Sequence, residues 1–88
     1  MKKGKTKSGF SYAIDENILD DMELIDAMAM AQGEDPTQIS TVVLKIFGED
    51  QRKKLYDHVR TKDGRVPVND VAEIITEIIE SMGDDGKN

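Results

Sequence analysis

The loop between Thr61 and Asp70 is the stretch whose residue types most resemble a site for chemistry. Placing Gly64 at the sixth position of a calcium-binding EF-hand loop puts Asp63 at the fifth position. Positions one and twelve then fall on Val59, which offers no side-chain oxygen, and on Asp70, where an EF-hand requires a bidentate glutamate. The ligand set therefore predicts a tight helix–helix connection, with a degenerate calcium-binding loop as the alternative.

The remaining candidates for chemistry are one histidine and one acidic run. His58 is the only histidine and there is no cysteine, so a transition metal would lack a second nitrogen or sulfur ligand. The acidic run is Asp20, Asp21, Glu23 and Asp26. On a helix only residues three or four apart share a side, so Glu23 pairs with Asp20 or with Asp26. We predict a solvated or partner-facing surface there, no catalytic, cofactor or metal site, and a protein that is not an enzyme.

Charge and composition limit the classes of partner. The net charge of the 88 residues is −6, and four of the twelve basic residues are Lys2, Lys3, Lys5 and Lys7. The rest of the chain carries eight basic against eighteen acidic groups, a charge of −10, which repels nucleic acid and anionic membranes. No apolar run is long enough for a signal peptide or a membrane span. A cysteine-free chain of this kind fits a reducing cytoplasm.

Hydrophobic periodicity and capping residues predict an all-α, four-helix domain at residues 10–83. The helices are expected at about 16–32, 36–47, 49–60 and 67–82. Asp35, Pro36 and Gln38 have the spacing of an N-cap, a first-turn proline and a capping-box partner. Gly48 is expected to end the second helix.

The two ends of the chain are predicted to lack helix. Residues 1–9 are expected to form a disordered basic tail, either solubilising or acting as an RNA- or phosphate-binding arm, and residues 84–88 are expected to fray. Residues 10–14 alternate apolar and polar and predict a short extended segment. It packs on the helices or, because no second strand is evident, accepts a strand from another molecule.

Two helices carry apolar residues beyond what one buried side needs. In the first, Ile18, Met22, Ile25 and Ala29 form a stripe that Leu19, Leu24, Met28 and Met30 widen. This width indicates central burial or an interface, and methionine suits adaptable interfaces. In the last, the expected buried stripe is Val68, Val71, Ala72, Ile75, Ile78, Ile79 and Met82, with Ile74 outside it. The candidate protein-binding residues are therefore Met22, Met28, Met30 and Ile74.

The order of these pieces also resembles a known family. The most particular parts are Gly9-Phe10-x-Tyr12 and the stretch from Asp57 to Pro67, DHVRTKDGRVP. They are followed by a final helix with the pattern EIxxEI. Together they resemble the small tail assembly chaperones of long-tailed phages and prophages of Gram-positive bacteria, over roughly residues 9–82.

The resemblance implies a non-enzymatic role in phage tail morphogenesis. It implies binding of the helical tape measure protein and recruitment of tail tube protein, in the host cytoplasm and outside the mature virion. Self-association is an expectation from some members, and the length matches the shorter of two frameshift-related products. A bacterial adaptor or regulatory module that docks on one protein partner is the alternative without a phage.

Overall fold

The computed structural model describes residues 1–85, for residues 83–85 the backbone alone. Its elements are β1 (Lys2–Lys5), β2 (Ser11–Ile14), α1 (Met22–Gln32), α2 (Ile39–Val59) and α3 (Val68–Asp85), with a 3₁₀ turn at Pro36–Gln38 before α2. Over the described residues this is an α+β arrangement of a hairpin and three helices, so the all-α, four-helix prediction is wrong. Of the segment expected to fray, residues 84–85 belong to α3 and residues 86–88 lie outside the described residues.

The segment predicted as a disordered tail supplies a strand. β1 pairs with β2 in antiparallel register, Lys2 opposite Ile14 and Lys5 opposite Ser11. The N–H of Thr6 donates to the carbonyl of Phe10 at 2.9 Å and closes the hairpin, and the turn contains Gly9 at φ 96°, a conformation that glycine adopts without strain. The strand partner of residues 10–14 is therefore in the same chain.

Gly4 leaves space for the aromatic ring of Tyr12, which packs between the hairpin and the core. Gly4 lies opposite Tyr12, and a Cβ built on Gly4 would come within 2.6 Å of Cζ of that ring. Phe10, Tyr12 and Ile14 are all buried. The face of the hairpin that carries them thus packs on the helices.

Gln51 of α2 bridges the hairpin to the helices. Its Oε1 accepts from the N–H of Ala13 at 2.7 Å, and its Nε2 donates to the carbonyl of Ala13 at 2.6 Å and to that of Phe47 at 3.1 Å. The amide side chain therefore bonds to β2 as a neighbouring strand would.

Replacing Gln51 by methionine, which has a similar length, is expected to lower the free energy of unfolding by about 1–3 kcal/mol, because a half-buried N–H and C=O lose their partners. Urea denaturation measures the change, with Lys54→Met on the exposed side of α2 as the control. A loss no larger than the control's would show that water replaces the amide without cost.

α1 begins six residues later than predicted. Asp15 does not cap a helix; its Oδ1 accepts from the N–H of Asn17 at 2.8 Å in a local turn. Asp21 is the N-cap, and its Oδ1 accepts from the N–H of Glu23 at 2.9 Å and of Leu24 at 3.3 Å. Aspartate favours both structures, so the sequence alone left the start of the helix open.

α2 contains a sharp kink at Gly48, the glycine that was expected to end the predicted second helix. Asp35 caps the preceding 3₁₀ turn as predicted, accepting from the N–H of Thr37 at 3.2 Å. The predicted capping box does not form, because Nε2 of Gln38 donates to the Asp35 carboxylate at 3.1 Å and the N–H of Asp35 donates to the carbonyl of Met30 at 2.9 Å. Gly48 then adopts φ 72° and ψ 177° between two helical stretches. The predicted second and third helices are thus the two arms of α2.

The core lies where α2 meets the hairpin and the inner sides of α1 and α3. Its members are Phe10, Tyr12, Ile14, Leu24, Ala27, Val42, Val43, Ile46, Phe47, Leu55, Val71, Ile74, Ile75 and Ile78. Two expectations for α3 are wrong: Val68 is exposed, and Ile74 is buried in this core.

Candidate functional site

An open apolar groove runs between α1 and α3. α2 packs against both, whereas no Cα atoms of α1 and α3 come within 8 Å of each other in the described residues. The space between them has a volume of about 230 Å³. We call it the α1–α3 groove. Its lining is Met28, Ala31 and Gln32 from α1, Ile39 and Val42 from α2, and Ala72, Ile75, Thr76, Ile79 and Glu80 from α3.

The groove follows from which residues each helix places there. Ala31 and Ala72 are small, so the two walls leave space that larger side chains would fill. Ile39 and Val42 from α2 form an apolar floor. The site therefore favours an apolar partner surface, because burial of such surface contributes roughly 25 cal/mol per Å².

One rim of the groove is acidic. Glu73, Glu77 and Glu80 lie along α3 beside the groove, which Glu80 also lines. Residues three or four apart share a side of a helix, so the three carboxylates form a row. With the net charge of −6, this row favours a partner with lysine or arginine beside its apolar surface.

The structure separates the four predicted protein-binding residues. Met28 is half-buried in the groove wall, and Met22 is 67% exposed on the outer side of α1. Met30, 49% exposed, lies two positions from Met28 and so on a different side of the helix. Ile74 is only 5% exposed, so this fold does not present it to a partner.

Ile25 connects the groove to the outer side of α1. It is 39% exposed and lies three positions from both Met22 and Met28, so the three side chains are neighbours along the helix surface. Of the predicted stripe, Met22, Ile25 and Ala29 are exposed and Ile18 is half-buried, while Leu24 and Ala27 face the core. The broad apolar arc of α1 was explained by central burial or by an interface. Its outer residues are exposed, so they are available for an interface.

The hairpin turn rests on α3 and the end of α2. The backbone N–H of Lys7 donates to Oε2 of Glu77 at 2.8 Å, and the hydroxyl of Ser8 lies 3.1 Å from Nε2 of His58. The His58 ring lies 5.7 Å from that of Phe10 between centroids. His58 thus helps to hold the turn, and its contact with Ser8 joins two residues far apart in sequence.

The loop compared with an EF-hand is closed by its own hydrogen bonds. Asp63 accepts from the Thr61 hydroxyl and, at 3.0 Å, from Nε of Arg65. These bonds hold the pKa of Asp63 below its ordinary value, the bond from Thr61 first. The stabilisation they give is therefore present at neutral pH and is lost as the pH falls through that lowered pKa. The Asp63 carboxylate thus accepts hydrogen bonds from residues of its own loop.

The described residues contain neither a cluster of metal ligands nor a membrane-spanning helix. No three histidine, cysteine, aspartate or glutamate side chains among them converge as metal ligands. None of the helices in residues 1–85 is long and apolar enough to cross a membrane.

Sequence periodicity missed the groove because it assigned much of the α3 wall to a closed core. Ala72, Ile75 and Ile79 were expected in one buried stripe, yet Ala72 and Ile79 are half-buried at the groove and Thr76 beside them is exposed. The available signal was a small residue, Ala31 or Ala72, on the apolar side of each of two amphipathic helices. Comparison with protein-family models, curated proteins and solved structures finds no match.

Proposed function

We propose that this chain is a non-enzymatic phage tail assembly chaperone that binds a helix of the tape measure protein in the α1–α3 groove. In this proposal it acts in the host cytoplasm, recruits tail tube protein to the bound client and leaves before the virion is complete. The open apolar groove is the observation that carries the proposal. The resemblance of the Gly9–Tyr12 and Asp57–Pro67 stretches supplies the identity of the client.

The shape of the groove supports a helical client. The α3 wall runs from Ala72 to Ile79, about two helical turns at roughly 1.5 Å per residue. The small side chains of Ala31 and Ala72 allow a partner helix to approach closely. Met28 adapts to different apolar side chains because its unbranched chain is flexible.

Charge supports a client with basic residues beside its apolar stripe. Glu73, Glu77 and Glu80 border the groove on the α3 side, so lysines or arginines on the client would meet opposite charge. Complementary charge of this kind speeds association and sets orientation more than it adds affinity. Binding should consequently weaken as salt concentration rises.

The exposed outer side of α1 would contact a different partner from the groove. Met22 and Met30 are candidates for contacts with tail tube protein or a second copy of the chain. Ile25 would extend client contacts out of the groove, because it adjoins Met28.

Filling the groove tests the proposal directly. Thr76 is exposed and lines the groove, so Thr76→Trp should occupy the space without disturbing the core. We expect at least about a tenfold loss of affinity for the tape measure protein, equivalent to about 1.4 kcal/mol. The measurement is pull-down and titration after co-expression with the tape measure and tail tube proteins of the same prophage, and Leu44→Lys, an exposed apolar residue outside the groove lining, is the control.

The results test the binding surface and the identity of the client separately. Retained binding in Thr76→Trp together with loss in Met22→Lys would move the site to the outer side of α1. No binding of the tape measure protein by the unmodified chain would contradict the phage function and favour an adaptor for another protein.

A further inference from the structure

Within residues 1–85, one edge of the hairpin is covered by α2 and the other is open. β2 lies between β1 and Gln51, and both backbone groups of Ala13 bond to that side chain. In an antiparallel pair, residues alternate between facing the partner strand and facing away. Because Ala13 faces away from β1, its opposite residue Lys3 must face away from β2.

The same alternation places the backbone of Lys5 on the open edge. Gly4, between Lys3 and Lys5, faces β2 through its pairing with Tyr12. In the described residues β1 approaches no strand or helix other than β2. Two N–H donors and two carbonyl acceptors, on Lys3 and Lys5, therefore line an edge that can accept a strand.

The side chains on this edge determine which strand it can accept. Tyr12 and Ile14 point into the core, so Lys3 and Lys5, opposite Ala13 and Ser11, carry their side chains on the solvent face. Both lysines are exposed. They lie in a chain whose net charge is −6, so the edge is a basic strip on an acidic protein.

We propose that β1 is a strand-addition site for an extended acidic segment of a partner polypeptide. The backbone of Lys3 and Lys5 would pair with the incoming strand, and their ammonium groups would meet alternate carboxylates on the same face. A second copy of β1 is a poor occupant, since pairing two such strands places lysines beside one another, and like charges across strands are destabilising. The site lies on the hairpin and is independent of the α1–α3 groove.

The test uses a short peptide in which glutamate alternates with valine and threonine, with a scrambled peptide of equal charge for comparison. Fluorescence anisotropy gives affinity, and amide exchange followed by NMR gives the contact. Slowed exchange at Lys3 and Lys5 on addition of the peptide is expected, with little change at Gly4, whose N–H already faces β2.

Lys3→Pro separates strand addition from simple charge attraction. It removes an outward N–H and leaves the β1–β2 ladder intact, because proline is tolerated on a free edge. We expect at least about a tenfold weaker affinity from this variant and from Lys3→Glu combined with Lys5→Glu, since both the pairing and the charge contribute. Lys53→Glu combined with Lys54→Glu, the same charge change on α2, is the control and should have a much smaller effect.

Several results would overturn the proposal. They are no binding, equal binding of the scrambled peptide, and binding that Lys3→Pro leaves unchanged. Self-association of the chain through β1 without any peptide would also overturn it, because the occupant would then be a second copy.

Discussion

Ile74→Lys is expected to unfold the domain, whereas Met30→Lys should leave it folded. Ile74 is 5% exposed and Met30 is 49% exposed, so the same new charge enters the core in one variant and reaches water in the other. Truncating a buried isoleucine already costs about 2–5 kcal/mol, and burying an unpaired ammonium adds several more. Domains of this size have about 5–15 kcal/mol in total.

Circular dichroism and urea denaturation distinguish the two outcomes. Met30→Lys should retain the helical signal and change the free energy of unfolding by no more than about 0.5 kcal/mol. Ile74→Val, expected to cost about 0.5–1.5 kcal/mol, keeps the domain folded and allows binding to be measured. A helical, cooperatively unfolding Ile74→Lys would contradict the burial of Ile74.

The position of Ile74 shows why periodicity gave only part of the core. Val71, Ile75 and Ile78 were predicted in the buried stripe, and all three are buried. Ile74 lies on the side of α3 beside Ser8, His58 and Val59. The hairpin turn and the end of α2 border that side, and the sequence prediction included no hairpin, so it placed Ile74 outside the buried stripe.

The hairpin itself had a weak sequence signal. β1 contains three lysines and a glycine, residues that are depleted in strands. Its pairing depends on contacts distant in sequence, above all Gln51 with Ala13 and Glu77 with Lys7. The turn residue Gly9 between Thr6 and Phe10 was the local indication of a hairpin.

The N-cap of a helix could be predicted where the sequence offered a single candidate residue. Asp35 is followed by proline, which is pre-set for a helical first position, and it caps the turn as expected. Asp15, Asp20 and Asp21 all precede α1, and each is a competent N-cap. Only tertiary packing selects Asp21, because the helix must start where Leu24 and Ala27 face the core.

The groove and the open edge give the domain two surfaces with opposite preferences. The α1–α3 groove presents apolar side chains beside Glu73, Glu77 and Glu80, whereas the edge of β1 presents backbone groups beside lysines. Under the two proposals, a basic amphipathic helix would bind the groove and an acidic extended segment would bind the edge, so that one small domain would join two polypeptides.

Gly48→Ala is expected to destabilise the domain, because it strains the kink in α2. At φ 72° and ψ 177°, Gly48 occupies a backbone region open essentially to glycine alone, and another L-residue there costs about 1–3 kcal/mol. Apart from its chain neighbours and the adjoining helix backbone, no described residue has an atom within 4 Å of a Cβ added at Gly48. The expected loss in the free energy of unfolding is therefore a backbone effect and not a steric clash with packed side chains.

A D-alanine at position 48 is the matched control. Its mirror-image preference makes φ 72° and ψ 177° an unstrained conformation, so a chemically synthesised chain with D-alanine should equal or exceed the original stability by up to about 1 kcal/mol, because the unfolded chain loses freedom. Urea denaturation of both variants provides the comparison. Equal losses for the two alanines would mean that position 48 tolerates no side chain at all. Equal stability of both would mean that position 48 accommodates an L-residue without strain, which would contradict the prediction.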